Sequence, residues 1–237
     1  MGKDIFAPVV MLFWLLAAVS AECQITWPGE KAFQGYSTLD QLAPAFTKDT
    51  TTYGRKYLIQ ALVPFVEKNG ITAPAPDWLV QQIAKATMSH DPYLVYEAIV
   101  AAQELKIYSL SDTLVKVYQA SRRRHGGVMQ LIHTSIAGCL MKFNNPSSRH
   151  ALANIAATPL PPKIACDIIP ALKALSQVGD STTTTTLSTL SSRVQFTRDS
   201  LTTSRIAADT GSVKSMGMVV AAVERTRQMI LARGGAR

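Results

Sequence analysis

Residues Asp91 to Lys106 read DPYLVYEAIVAAQELK. Val95, Ala98, Ala102 and Leu105 fall three and four residues apart, so they share one face of an α-helix. Three further segments carry the same apolar period: RKYLIQALVPFVEKNG from Arg55, GVMQLIHTSIAGCLMK from Gly127 and KIACDIIPALKALSQV from Lys163. Their starts, at 55, 91, 127 and 163, are each 36 residues apart. Ala61, Ala98, Ser135 and Ala171 occupy nearly equivalent small-residue positions, and Leu62, Ile99, Ile136 and Leu172 follow as large apolar partners. The register slips by one residue between copies, as in divergent repeats.

A second helix precedes each of three of these segments. PDWLVQQIAKATMS runs from Pro76, SDTLVKVYQAS from Ser111 and SSRHALANIAAT from Ser147, and each opens on a good N-cap or a proline. A fourth, DSTTTTTLSTLSSRV from Asp180, falls at the same interval. Its threonines are mediocre helix formers because branching at Cβ restricts the side chain, but the interval favours a helix over a linker. An amphipathic helix over Ser212 to Leu231 is expected to cover the open end of a stack, as terminal caps do. Strand-type alternation is absent over any useful length.

A helix pair repeating every 36 residues cannot bury its apolar face alone, so neighbours stack and share a core; this is the pattern of an α-solenoid. DPYLVYEAIVAAQELK followed by SLSDTLVKVY resembles the second and first helices of successive HEAT repeats, with IIPALKAL a looser match. The resemblance covers roughly residues 50–195. It implies an all-α fold, a right-handed α-solenoid of stacked antiparallel pairs of the HEAT or armadillo-like kind, and says little about function. The Asp and Arg that often mark the turn inside a HEAT pair are not consistently present. The expected organisation is a secretory signal over 1–21, an extended lead over 22–50, helical repeats over 51–210, and a capping helix and tail over 211–237.

The signal reading rests on Ile5 to Ala21, IFAPVVMLFWLLAAVSA, preceded by Lys3 and followed at once by polar sequence. Val19-Ser20-Ala21 has the small residues that signal peptidase accepts, with cleavage after Ala21. The run is at the short end for a membrane span, so an uncleaved anchor over 5–21 is the alternative. Glu22 before Cys23 does not fit a lipoprotein signal. The expected location is extracytoplasmic, with membrane attachment if the signal is retained.

With 237 residues and 47% hydrophobic content, the chain has material for a large core, which excludes wholesale disorder, collagen and a disulfide-dense mini-protein. Its net charge of +8 is unevenly placed: residues 1–100 hold 7 basic and 9 acidic side chains, and the remainder 17 and 7. A basic field of this kind favours acidic proteins or polyanions. In a stacked architecture the turns inside each pair share a rim, which would bring Arg122, Arg123, Arg124, His125 and Lys163 together. Arginines can bind carboxylates or phosphates bidentately, although three at a helix end also complement its dipole.

No phosphate loop, GxGxxG, HExxH or GxSxG is present, and His90, His125, His133 and His150 have no metal-ligand spacing to one another. Glu97 and Glu104 lie seven apart, as on a solvated helix face. The three cysteines form no CxxC pair. In parallel neighbouring helices Cys139 and Cys166 would be offset by nine residues, about 13 Å along the axis at ~1.5 Å per residue, too far for a disulfide. The sequence therefore points to no catalytic residue, metal or cofactor. It points to an exported non-enzymatic scaffold or adaptor for a protein or peptide partner, acidic in character. A nucleic-acid or polyanion-binding repeat protein using the basic C-terminal part is the alternative, which export disfavours. Intact mass of the native chain after cell fractionation tests the first step: a chain starting at Glu22 outside the cytoplasm is expected. A full-length chain in membranes gives the anchored form, and a full-length soluble cytosolic chain overturns export.

Overall fold

The computed structural model describes residues 33–48, 51–121, 127–157, 168–203 and 210–234. The signal segment, its cleavage site and Cys166 lie outside these. The described residues are all-helical, with no strand. The α-helices are α1 (Ala43–Lys48), α2 (Thr52–Lys68), α3 (Asp77–Thr87), α4 (Pro92–Glu104), α5 (Ser111–Ser121), α6 (Gly127–Phe143), α7 (Pro146–Ala157), α8 (Ile169–Val178), α9 (Ser181–Thr203) and α10 (Thr210–Gly234), with 3-10 turns at Asp40–Leu42 and Tyr108–Leu110.

Their starts follow from local chemistry. Thr51 Oγ1 accepts from the Gly54 N–H to begin α2, and Asp91 Oδ1 accepts from the Tyr93 N–H to begin α4, with Pro92 as its first residue. Proline costs nothing there, because the first helical N–H has no partner in the helix. Asn145 and Ser148 cap α7 reciprocally: the Ser148 N–H donates to Asn145 Oδ1 and the Asn145 N–H to Ser148 Oγ. Asp180 and Thr183 repeat the device at α9. Such boxes satisfy donors that the first turn leaves open.

The ends of α2, α4 and α6 are alike. Each is followed by a residue with positive φ: Gly70, Lys106 and Asn144. After α2 the Ile71 N–H donates back to the Val66 carbonyl, and after α4 the Ile107 N–H to the Ala102 carbonyl. This is the left-handed stop that pins a helix end with an apolar residue just beyond it, and Ile107 is buried.

The helices contact one another in two series. α2 packs on α4, α4 on α6, α6 on α8 and α8 on α10; α3 packs on α5, α5 on α7 and α7 on α9. Between the series, α3 packs on α4, α5 on α6, α7 on α8 and α9 on α10. Leu62, Ile99, Ile136 and Leu172, the large apolar set read from the sequence, are all buried, as are Ala61, Ala98 and Ala171. Ser135 is half-buried, and Ala137 supplies the small buried position on α6. One apolar core runs from Phe33 to Ile230.

Polar bonds tie neighbours within each series. Gln60 Nε2 donates to Glu97 Oε1 at 3.2 Å and Lys142 Nζ to Glu104 Oε1 at 3.0 Å. Arg193 Nη1 donates to the Ala157 carbonyl, and Arg149 Nη1 pairs with Asp180 Oδ2 at 2.9 Å. The first three bonds join residues 36 to 38 apart in sequence.

The structure departs from the sequence reading at both ends. The segment expected as an extended lead contains the 3-10 turn at Asp40–Leu42 and α1. Gln41 Oε1 accepts from the N–H groups of Ser37 and Thr38, and Phe33 and Phe46 pack in an aromatic group with Phe65 and Trp78. This segment closes the apolar end of α2 and α3. The Thr-rich segment is helical, as its interval predicts, but the helix runs beyond Val194 to Thr203. Its hydroxyls donate to carbonyls a turn earlier, from Thr184 to Ser181, Ser188 to Thr184 and Thr197 to Arg193. That local bonding keeps Ser and Thr satisfied inside a helix. Leu187, Leu190 and Val194 bury its inner face. On α10, Met216 is buried, whereas Met218 and Met229 are exposed.

At the far end, Gly179 lies so close to α10 that a Cβ there would meet Ile230 Cδ1 at 2.7 Å. Arg233 donates to the carbonyls of Gln177 and Gly179, and Thr226 Oγ1 to that of Leu172. Ile99 is 1% exposed in the middle of the α2–α4–α6 series. Ile99→Ala is expected to cost about 2–5 kcal/mol through lost burial and a residual cavity, measured by urea unfolding with the slope unchanged.

Candidate functional site

Two surfaces on the first half of the molecule carry more than packing. The first is the outer face of α2 and α4. Tyr53 and Tyr57 are one helical turn apart, their rings meet edge to face at 4.5 Å, and Tyr57 Oη donates to Tyr53 Oη at 2.5 Å. That hydrogen bond raises the Tyr57 pKa, so the hydroxyl stays protonated. Tyr93, near the start of α4, holds Lys56 Nζ 5.1 Å from its ring centre, a cation–π arrangement. Tyr53 is 68% and Tyr93 56% exposed, an unusual degree of exposure for a cluster of large rings. Gln60 and Glu97 continue the face along the two helices, and Glu104 with Lys142 carries it to α6.

The two carboxylates on this face behave differently. Partial burial raises the Glu97 pKa, with Lys56 opposing the shift. Glu104 is lowered, first by the hydrogen bond from Gln103 and then by that from Lys142. Each carboxylate bonds to a different neighbouring helix, so they are links between helices and not an acid–base pair.

The second surface is a cavity of about 320 Å³ between the ends of α3 and α5 and the starts of α4 and α6. Its apolar wall includes Met88, Val95, Val117, Ala120, Met129 and Ile132. Ser89, His90, Lys116 and Ser121 supply its polar groups. Met88, His90, Lys116 and Ala120 are exposed at its opening. Behind the wall His133 is buried. Its Nε2 lies 2.8 Å from Ser121 Oγ, and its ring rests on Tyr118 at 4.4 Å. Ser121 Oγ also lies within hydrogen-bond distance of the Tyr118 carbonyl, at 2.9 Å. The arrangement ties α5 to α6. His133 is thus a core histidine, and its pairing with Ser121 was not evident from residues twelve apart in sequence.

Arg122, Arg123, Arg124, His125 and Lys163, the residues expected to form a basic rim, lie outside the described residues. The arginine run continues the chain directly from Ser121 at the cavity edge. Among the described residues no group of three or more His, Cys, Asp and Glu could hold a metal. Cys139 is a buried free thiol, and burial pushes its pKa up to about 12, which keeps it in the unreactive protonated form. No helix of the described residues is long and apolar enough to cross a membrane. The tyrosine cluster was missed in the sequence, where Tyr53 and Tyr57 at i, i+4 were the available signal.

No family model, curated protein or solved structure matches the chain.

The Glu97 shift has a definite sign. A carboxyl whose folded pKa lies above its unfolded value destabilises the fold once ionised, and that cost disappears as pH falls through the folded pKa. Glu97→Gln is therefore expected to raise the midpoint of thermal unfolding at pH 7, with the difference shrinking in acid below the raised pKa. Circular dichroism melts across pH 3–8 read both.

Proposed function

We propose that this chain is an exported, non-enzymatic scaffold of HEAT-like repeats that holds a protein or peptide partner on the face of α2, α4 and α6. The observation that carries this reading is the exposed cluster of Tyr53, Tyr57, Tyr93 and Lys56. Large aromatic rings with polar tips are enriched where proteins bind one another, and a few of them carry most of the binding energy. Here they project from helices braced on both sides, so little conformational freedom is lost on binding.

The solenoid reading is supported by the two series of helix contacts, by helix stops at residues 70, 106 and 144, and by links between residues 36 to 38 apart. In that reading the two series are the two layers of a right-handed stack of antiparallel pairs. The longer helices α2, α4 and α6 line the binding layer, and α1 and α10 close its ends. Lys56 and the basic C-terminal half favour an acidic partner.

The test is capture of a partner by the mature chain from its own compartment, after nuclease treatment, compared with a Tyr53→Ser/Tyr93→Ser variant. The variant is expected to fold as wild type and to retain the partner at least tenfold less well. Retention indifferent to both substitutions overturns the reading. Capture of nucleic acid instead, with a steep fall in affinity as salt rises, assigns the basic half to a polyanion.

A further inference from the structure

The cavity beside α5 has features that a protein-docking face does not require. Its volume of about 320 Å³ lies at the lower end of the ~300–1,000 Å³ typical of small-molecule sites, and its lining has the composition of one: mostly apolar, with a few convergent polar groups. It is too small for a folded segment of a partner and large enough for a single flexible chain.

The wall is suited to such a chain. Met88 and Met129 in the lining are unbranched and polarizable, so they reshape around a ligand at little cost. Val95 and Ile132 close the inner end and are buried. The charge lies at the other end. Two helices finish and two begin around this cavity, so their terminal dipoles oppose one another. Nearby Asp91 has its Oδ1 occupied by the Tyr93 N–H. Lys116 lines the opening, exposed, and makes no ion pair with another described residue. An apolar well with a lysine at its mouth complements a molecule with an apolar tail and an anionic head.

We propose that this cavity binds the acyl chain of a single-chain amphipathic carboxylic acid, its tail against Val95, Val117 and Ile132 and its carboxylate paired with Lys116 at the mouth. His90 and Ser89 also line the cavity and offer further hydrogen-bonding groups, Ser89 Oγ already accepting from the Asp91 N–H. The scaffold is built around the well, since the surrounding helix ends are fixed by the Ser121–His133 lock and the Asp91 cap. The site is independent of the tyrosine face, and either can fail without the other.

The probe is dodecanoate, with dodecanol as its uncharged counterpart, titrated into the full chain by calorimetry below the concentration at which either aggregates. Saturable one-to-one binding of dodecanoate is expected, with dodecanol about tenfold weaker. Lys116→Gln is expected to weaken dodecanoate about tenfold and leave dodecanol unchanged, which separates head recognition from tail burial. Ala120→Phe, at an exposed position on the cavity edge, is expected to block the well and abolish binding of both with unchanged helicity and melting. Tyr93→Ser should change neither affinity. The proposal is overturned if dodecanoate shows no saturable binding. It is equally overturned if binding persists in Ala120→Phe, or if Lys116→Gln leaves the preference for the acid over the alcohol intact.

Discussion

Close approach between successive long helices is the constraint on which the molecule rests. α4 meets its neighbours with Ala98, Ala101 and Ala102, all fully buried, and α2, α6 and α8 bring Ala61, Ala137, Ala171 and Ala174 to the same core. Small side chains let helix axes approach to the near end of the ~8–10 Å range. That closeness allows Gln60 to reach Glu97 and Lys142 to reach Glu104 across the seam. Leu62, Ile99, Ile136 and Leu172, each next to one of these small positions in sequence, are buried in the same core. A larger residue at Ala98 would separate the helices and strand both the apolar layer and the polar links.

The two candidate surfaces follow from the same packing in different ways. On the outer face, the helix starts of α2 and α4 lie near enough for Lys56 to sit over Tyr93, so the exposed rings belong to a rigid surface. At the ends of the pairs, α3 and α5 finish where α4 and α6 begin, and the side chains there are too few or too flexible to fill the wedge. A firm aromatic face and a pliable methionine-walled well are thus neighbouring products of one helix arrangement.

Much of this fold was legible in the sequence because burial writes a 3.6-residue period into apolar positions, and the period recurs every 36 residues. The helical Thr-rich segment was legible from its interval, and its length to Thr203 was not, because serine and threonine reveal their bonds to preceding carbonyls only in three dimensions. The N-terminal closure was missed because Phe33 and Phe46 are isolated apolar residues whose partners, Phe65 and Trp78, come from other elements. Met218 and Met229 face solvent, since α10 has neighbours on part of its circumference alone. The site was least legible. The arginines singled out by composition lie outside the described residues. The tyrosine cluster combines an i, i+4 pair with a ring 36 or more residues distant, and the cavity is defined by which side chains fail to meet.

The junction of Gly179 with Ile230 and Arg233 governs how the assembly would come apart. In a chain of units that touch mainly their neighbours, stability is a sum of local and nearest-neighbour terms, and unravelling starts where a unit has one neighbour instead of two. In the proposed stack α10 is such a terminal unit, and two backbone carbonyls of α8 and that of Gly179 just past it are fastened to α10 through Thr226 and Arg233. In that proposed stack the clasp would act as a boundary condition, setting from which end amide hydrogens first become exchangeable. With the clasp open, the α8 amides would exchange early while those of α4 stayed protected, giving a gradient of protection along the stack.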